Sequence, residues 1–172
     1  MRIFAIALFA SLLALAQNAG LAPGSSSEAT ITISGAIEKS VTISLSDLSK
    51  LSHRSVSIRD RTGIVAKFDG VPLQSLLEFA GLHFGNELRG DRLAAFLLVE
   101  AADGYRVVVS LPELDSSMAD DVILLASQID GQPLSQAEGP FQIIVPRDKN
   151  RNRWVRQVKA LKVLHADFAL EE

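Results

Sequence analysis

The sequence predicts one α+β domain in which short helices cover a mixed, mainly antiparallel sheet system. Three observations lead to this fold class. Many short segments either alternate polar and apolar residues or are almost continuously apolar, and both patterns are typical of strands. Turn-forming pairs such as Asp103-Gly104 separate several of these segments by a few residues, which favours hairpins. The clearest helical spacing of apolar residues is confined to one short segment that begins at Pro72.

Strand patterns occur along the whole domain. The segment 94–101 is nearly continuously apolar, so we expect it to be a central strand buried on both faces. The predicted strands are 30–35, 41–45, 54–59, 64–68, 94–101, 105–109, 122–126, 141–145 and 154–164.

Two helices are expected between these strands, and 110–114 has the pattern of a strand that ends in a capped helical turn. The first is capped by Ser46-Asp47 and extends through Leu51. The second begins at Pro72, a residue that suits the first turn of a helix, and ends at Gly81. Its apolar face consists of four residues at helical spacing, Leu73, Leu76, Leu77 and Ala80.

Composition excludes several classes of protein. The 172 residues are 48% hydrophobic and 22% charged, which is typical of a globular chain rather than a disordered one. The net charge of −3 argues against a nucleic-acid-binding protein, which usually carries a strongly basic face. The chain contains no cysteine, so it forms no disulfide and offers no thiolate as a metal ligand or nucleophile.

The N-terminus has the pattern of an export signal. Arg2 precedes the apolar run 3–15, and Ala14-Leu15-Ala16 fits the small-x-small cleavage pattern. The run is shorter than the roughly 20 apolar residues that a transmembrane helix needs. We expect a signal peptide over residues 1–16, with cleavage as late as about residue 24. A flexible linker over 17–29, a domain over 30–166 and a tail over 167–172 follow, in a periplasmic or secreted protein without a membrane anchor.

The sharpest local feature is a basic segment, residues 147–162, with seven basic residues against one acidic residue. We predict that its first four basic residues line the rim of an anion-binding pocket, with Trp154 packed beneath them. A loop at a strand end can aim several cations at one phosphate, and arginine binds phosphate bidentately. The alternative is a solvated strand edge that discourages aggregation, and we favour it from Arg156 onward. The predicted rim residues are Arg147, Lys149, Arg151 and Arg153.

Other candidate residues carry weaker signals. The three histidines are far apart in sequence, without the helical spacing of paired metal ligands. Asp115, Asp120 and Asp121 form an acidic cluster that nothing pairs with a nucleophile. Tyr105 offers a hydroxyl to a ligand, but a half-buried position in a strand is the favoured interpretation.

A series of motifs resembles sulfite-oxidase-type molybdopterin-binding domains, in the expected order and over residues 30 to about 164. The resemblance implies the fold of that family, molybdopterin as the cofactor and a place near the cofactor's phosphate for the basic segment. The motifs are Phe68-Asp69-Gly70-Val71-Pro72-Leu73, Ala102-Asp103-Gly104-Tyr105, Asp130-Gly131-Gln132-Pro133-Leu134, Gly139-Pro140-Phe141 and Arg153-Trp154-Val155-Arg156-Gln157-Val158.

The chain departs from that family at the metal ligand. Active members hold molybdenum through a cysteine in the region that corresponds to residues 54–67. Here that region offers Ser55, Ser57 and Thr62, and a hydroxyl is a harder and much less acidic donor than a thiol. The long N-terminal arm of the full-length enzymes is also missing. The chain therefore resembles a small, exported, stand-alone branch that lacks the molybdenum-ligating cysteine.

Three functions are consistent with these observations. The first is an exported module that binds an anionic molecule such as the pterin, or a partner protein, without redox catalysis. The second is a molybdopterin-dependent oxidoreductase, or a subunit of one, that works with a redox partner protein. The third is a structural or interaction domain whose pocket has filled with side chains. The missing cysteine favours the first and third, and the basic segment favours the first.

Export can be tested directly. We expect the mature N-terminus to lie between Gln17 and Ser25, because the apolar run is short and ends in small residues. N-terminal sequencing of protein from a periplasmic fraction measures this. An intact Met1 on the soluble protein would contradict the expectation.

Overall fold

The computed structural model describes residues 28–60 and 62–166. The predicted signal peptide and tail, and nearly all of the predicted linker, lie outside these ranges. Within them the chain forms three short α-helices, α1 (Leu45–Leu48), α2 (Leu73–Phe79) and α3 (Leu111–Leu114). It also forms ten strands, which are β1 (Thr30–Gly35), β2 (Val41–Ser44), β3 (Arg54–Arg59), β4 (Val65–Pro72), β5 (Ala95–Ala101), β6 (Arg106–Ser110), β7 (Leu124–Ile129), β8 (Gln132–Pro133), β9 (Gln142–Ile144) and β10 (Val158–His165).

The strands form two five-stranded sheets. The first has the order β2-β1-β10-β5-β6, and the second has the order β3-β4-β7-β8 with β9 also paired to β7. Among the described strands, only β1 and β10 pair in parallel, and every other pair is antiparallel. The predicted α+β class, with mainly antiparallel sheets and short helices, is confirmed.

Helix α2 covers the core with the face that the sequence predicts. Leu73, Leu76 and Leu77 are each 0% exposed, and Ala80 is also buried. The helix ends where Gly81 adopts a φ of +86°, a left-handed conformation that glycine reaches without a Cβ penalty. No helix in the described part of the chain is long and apolar enough to cross a membrane.

Both predicted helix starts are shifted. Helix α1 is capped by Ser44, whose Oγ accepts a hydrogen bond from the Asp47 backbone, and it ends at Leu48. This capping box places the start earlier than Ser46-Asp47. Pro72 remains extended as the last residue of β4, so α2 begins one residue later than predicted.

The last predicted strand begins later than expected, at Val158 instead of residue 154. The preceding backbone bonds to the second sheet, because the Ile143 N–H donates to the Val155 carbonyl over 2.8 Å. Gln157 then adopts a φ of +48°, which turns the chain into the first sheet. The apolar residues of 154–164 thus belong to two different sheets. Their periodicity alone does not show that the chain passes from one sheet to the other.

The interpretation as a strand edge is wrong for Lys159 and Lys162, because their strand, β10, lies between β1 and β5. Arg156 precedes β10 and is exposed. Lys159 and Lys162 form ion pairs with the buried Glu100 of β5, and Arg106 of β6 forms a third. Hydrogen bonds from Lys162 and Arg106, together with the charge of Lys159, lower the pKa of Glu100 to about 2. These cations therefore stabilise the sheet through internal pairing.

The burial of α2 predicts the effect of a truncation. Leu76→Ala removes a fully buried side chain and should lower the free energy of unfolding by about 2–5 kcal/mol. Phe79→Ala on the same helix is the matched control, because Phe79 is 55% exposed. Urea denaturation of both variants measures the difference. An equal effect of the two substitutions would show that α2 packs by a different face.

Candidate functional site

A cleft of about 450 Å³ lies where the β3–β4 turn meets the loop that follows β9. The turn contributes Arg59, Asp60 and Thr62. The loop contributes Pro146 and residues 148–151, and Trp154 lines the cleft from below them. Two segments that are distant in sequence thus form one concave surface.

Trp154 anchors the loop. Its side chain is buried, and its Nε1–H donates to the Val145 carbonyl over 2.9 Å. The Phe68 ring meets the indole edge-to-face with ring centroids 5.5 Å apart. The Arg151 guanidinium lies 4.5 Å from the centre of the indole ring, a cation–π contact. The predicted position of Trp154 beneath the basic residues is therefore observed for Arg151.

Three cations among the described residues line the cleft, and their side chains have different contacts. Arg59 Nη1 donates to the Gly63 carbonyl over 2.7 Å, which directs its side chain along the turn. Arg151 lies on Trp154, and Lys149 is exposed at the rim. Within residues 28–60 and 62–166, none of these three has a carboxylate at salt-bridge distance. Their charges are therefore available to an anion.

The two carboxylates of the cleft have structural partners. Asp60 Oδ1 accepts hydrogen bonds from the Thr62 hydroxyl over 2.7 Å and from the Ile64 backbone over 2.9 Å. These bonds, with the Thr62 hydroxyl first, lower the pKa of Asp60 and make it the cap of the turn. Asp148 accepts two hydrogen bonds from Arg153, so its charge is neutralised within the loop.

Arg153 does not line the cleft. Its Nε and Nη2 bind Asp148 over 2.9 and 2.7 Å, and its Nη1 binds Glu113 of α3 over 3.1 Å. These hydrogen bonds raise the pKa of Arg153. Partial burial favours a higher pKa for Glu113, but the bonds from Arg153 and Ser110 outweigh it and lower that pKa. Arg153 therefore joins the loop to α3.

Only two of the four predicted rim residues line the cleft. Lys149 and Arg151 share the cleft, whereas Arg147 pairs with Asp121 and Arg153 pairs within the loop. Sequence reasoning missed Arg59, the last residue of β3. The only feature of the sequence that pointed to Arg59 was its place in region 54–67, where the resemblance places the metal ligand.

A second cleft, of about 350 Å³, lies on the other side of Arg151 and Trp154. Tyr105 and Arg156 are among the residues that line it. The Tyr105 hydroxyl donates to the Asn152 carbonyl over 2.8 Å and holds the loop against the first sheet. Tyr105 is 49% exposed and directly precedes β6, so it lies just outside the strand in which it was expected.

The remaining candidate residues do not converge. Asp115 is buried and accepts hydrogen bonds from the Gly85 and Ser117 backbones, while Asp121 pairs with Arg147. His53 lies between Asp69 and the Leu48 carbonyl. Among the residues that the structure describes, no three His, Cys, Asp or Glu side chains are placed to hold a metal ion.

The hydroxyls of region 54–67 are the side chains that stand where the resemblance places the metal ligand. Ser55 donates to Asp69 Oδ2 over 2.8 Å, and Thr62 donates to Asp60. Ser57 is exposed on β3, opposite Lys67 of β4. Two of the three hydroxyls therefore donate to carboxylates, and Ser55 lies in a hydrogen-bonded group with Asp69 and His53. The chain has no thiolate, and these hydroxyls are hard, weakly acidic donors, so this donor set does not fit a molybdenum ion.

Comparison with known proteins identifies the family. The family model "Oxidoreductase molybdopterin binding domain" matches residues 20–169. The chain belongs to this family. The sulfane dehydrogenase SoxCD from Paracoccus pantotrophus has a similar structure, with a TM-score of 0.63 and 20% identity over 83% of this chain. The match spans 39% of the SoxCD chain and, at this identity, shows the fold alone. No curated protein matches the sequence.

The hydrogen bonds of Arg153 to Asp148 and Glu113 predict that this residue stabilises the loop. Arg153→Ala leaves Asp148 and Glu113 without their partner and should lower the free energy of unfolding by about 1–2 kcal/mol, since the group is partly exposed. Lys149→Ala is the matched control and should change it by less than about 0.5 kcal/mol. Urea denaturation compares them. Equal stability of both variants would contradict the structural role of Arg153.

Proposed function

We propose that this domain binds the phosphate of a pterin cofactor, or a similar anionic small molecule, in the cleft beside Trp154. The observation that carries the proposal is the grouping of Arg59, Lys149 and Arg151 around one cleft, with no carboxylate of the described residues at salt-bridge distance from them. Membership of a molybdopterin-binding family supports a pterin phosphate as the anion.

The three cations suit a phosphate in complementary ways. Arg59 and Arg151 carry planar guanidinium groups that bind two phosphate oxygens at once, whereas Lys149 is a flexible point charge. The contact with Trp154 and the bond to the Gly63 carbonyl restrict the two arginines before a ligand arrives. This restriction reduces the side-chain entropy that is lost on binding.

The lack of a suitable metal ligand argues for a binding or accessory module rather than a redox enzyme. This chain offers no thiolate, and the Ser55 and Thr62 hydroxyls are bonded to carboxylates. We therefore assign the chain's own residues to holding the anion and derive no redox step from them. The open cleft of about 450 Å³ argues against a domain whose pocket has filled with side chains. The N-terminal pattern supports an exported location for the module.

Titration calorimetry tests the proposal on the mature chain, with a phosphorylated pterin and with pyrophosphate. Arg151→Ala and Lys149→Ala should each weaken binding by about 1.5–3 kcal/mol, because each removes a charged hydrogen-bond donor. Raising the salt concentration should weaken binding as well, since the cations are exposed.

Lys39→Ala is the matched control, because Lys39 is exposed in the β1–β2 loop and should leave the affinity unchanged. Wild-type protein that shows no saturable binding of either anion at millimolar concentration would overturn the proposal. Equal losses for Lys39→Ala and Arg151→Ala would show that binding depends on net charge rather than on the cleft.

A further inference from the structure

A further cleft, of about 420 Å³, lies at one end of the first sheet. The β1–β2 loop, the segment that follows α2 and the last residues of β10 meet there. This cleft shares no lining residue with the two clefts described above. Its volume falls within the range of roughly 300–1,000 Å³ that is typical of small-molecule sites.

The interior of this cleft is apolar. Its floor consists of Leu88, Leu111 and Val163, which are buried members of the hydrophobic core. Ile37 and Leu82 line it higher up and are partly buried against the same core. The lining residues with ionisable side chains are all exposed, so the charges lie at the rim. A ligand with an apolar body therefore displaces water from an apolar floor, which favours binding.

Arg92 places a positive charge at the rim. Its segment is fastened beside the cleft, because the ring of His165 donates a hydrogen bond to the Asp91 carbonyl. Arg92 Nη1 lies 3.5 Å from Glu87 Oε2, and both side chains are more than half exposed. An exposed ion pair at this distance is weak, so a ligand carboxylate can compete for the Arg92 guanidinium.

Two more ionisable side chains determine where a ligand's charge lies. His83 has no hydrogen-bond partner among the described residues, and a ring N–H can donate to a carboxylate. Glu38 lies over Gly81, where an added Cβ would be 3.3 Å from its Oε2. Its negative charge disfavours an anion at that part of the rim. Arg92 and His83 are therefore the groups that suit a carboxylate.

We propose that this cleft binds a small carboxylate with an apolar body, such as a medium-chain fatty acid. The apolar body covers the floor, and the carboxylate accepts hydrogen bonds from Arg92 and His83. Apolar surface is buried in this arrangement while the charged group stays at the rim, so no charge is buried without a partner. This inference goes beyond the proposed phosphate binding, which uses other residues.

The test titrates octanoate into the mature chain, labelled for heteronuclear NMR. Saturable shifts of the backbone signals of Leu82, Leu88 and Ala95, which line the cleft, are expected at millimolar concentration. Hexanoate should bind about tenfold more weakly, because two fewer methylenes are buried. Octylammonium should bind about fivefold more weakly or worse, because Arg92 repels its charge. No saturable binding of octanoate, or an affinity that neither change of ligand lowers, would overturn the proposal.

Arg92→Ala removes the charge that receives the carboxylate. Octanoate binding should weaken about fivefold, a modest loss because the rim is exposed to water. Arg89→Ala is the matched control, since it removes the same charge from the same segment but Arg89 does not line the cleft. Octanol lacks the carboxylate and should bind both variants equally. Equal octanoate affinity of the two variants would contradict the assigned role of Arg92.

Ala36→Trp fills the cleft from its exposed wall, without removing a core side chain. Octanoate and octanol should then no longer bind, and circular dichroism checks that the variant folds. Pyrophosphate should bind this variant with the wild-type affinity, because Ala36 does not line the cleft beside Trp154. Octanoate binding that persists in the folded variant would place the ligand elsewhere and overturn the proposal. Wild-type protein that binds pyrophosphate but not octanoate would contradict this proposal alone.

Discussion

The hydrogen bond from the Trp154 indole to the Val145 carbonyl closes the loop that carries the candidate site. The Asp148 N–H donates to the same carbonyl, so the two halves of the loop share one acceptor. Phe68 of β4 holds the indole from the second sheet, and Tyr105 holds the adjoining Asn152 carbonyl from the first. Contacts from both sheets therefore hold the loop in place, although it contains little regular structure.

Ion pairs within the fold determine which basic residues remain available to bind an anion. Most cations of the segment 147–162 are bound within the fold, by Asp121, by Asp148 with Glu113, or by Glu100. These pairs hold the loop and the first sheet in place. Among the described residues, Lys149, Arg151 and Arg156 lack such partners. Lys149 and Arg151 line the cleft together with Arg59, whereas Arg156 lines the second cleft.

Local sequence patterns predict much of this fold, because strand alternation and the apolar face of α2 depend on neighbours along the chain. The partners of individual charges could not be predicted in this way. Arg153 binds Glu113, 40 positions earlier in the sequence, and no local pattern relates the two. Arg59 likewise reaches the cleft only because the β3–β4 turn packs beside the loop. Ordered motifs did identify the family, since several weak matches in the right order are specific together.

Trp154 is the only tryptophan of the chain, so its fluorescence reports directly on the cleft. A bound anion draws the Arg151 guanidinium toward its oxygens and alters the contact with the indole. Titration with pyrophosphate at constant ionic strength should therefore give a saturable change in Trp154 emission, and sodium chloride should give none. An unchanged emission spectrum at millimolar pyrophosphate, or an equal response to both salts, would contradict a specific anion site beside Trp154.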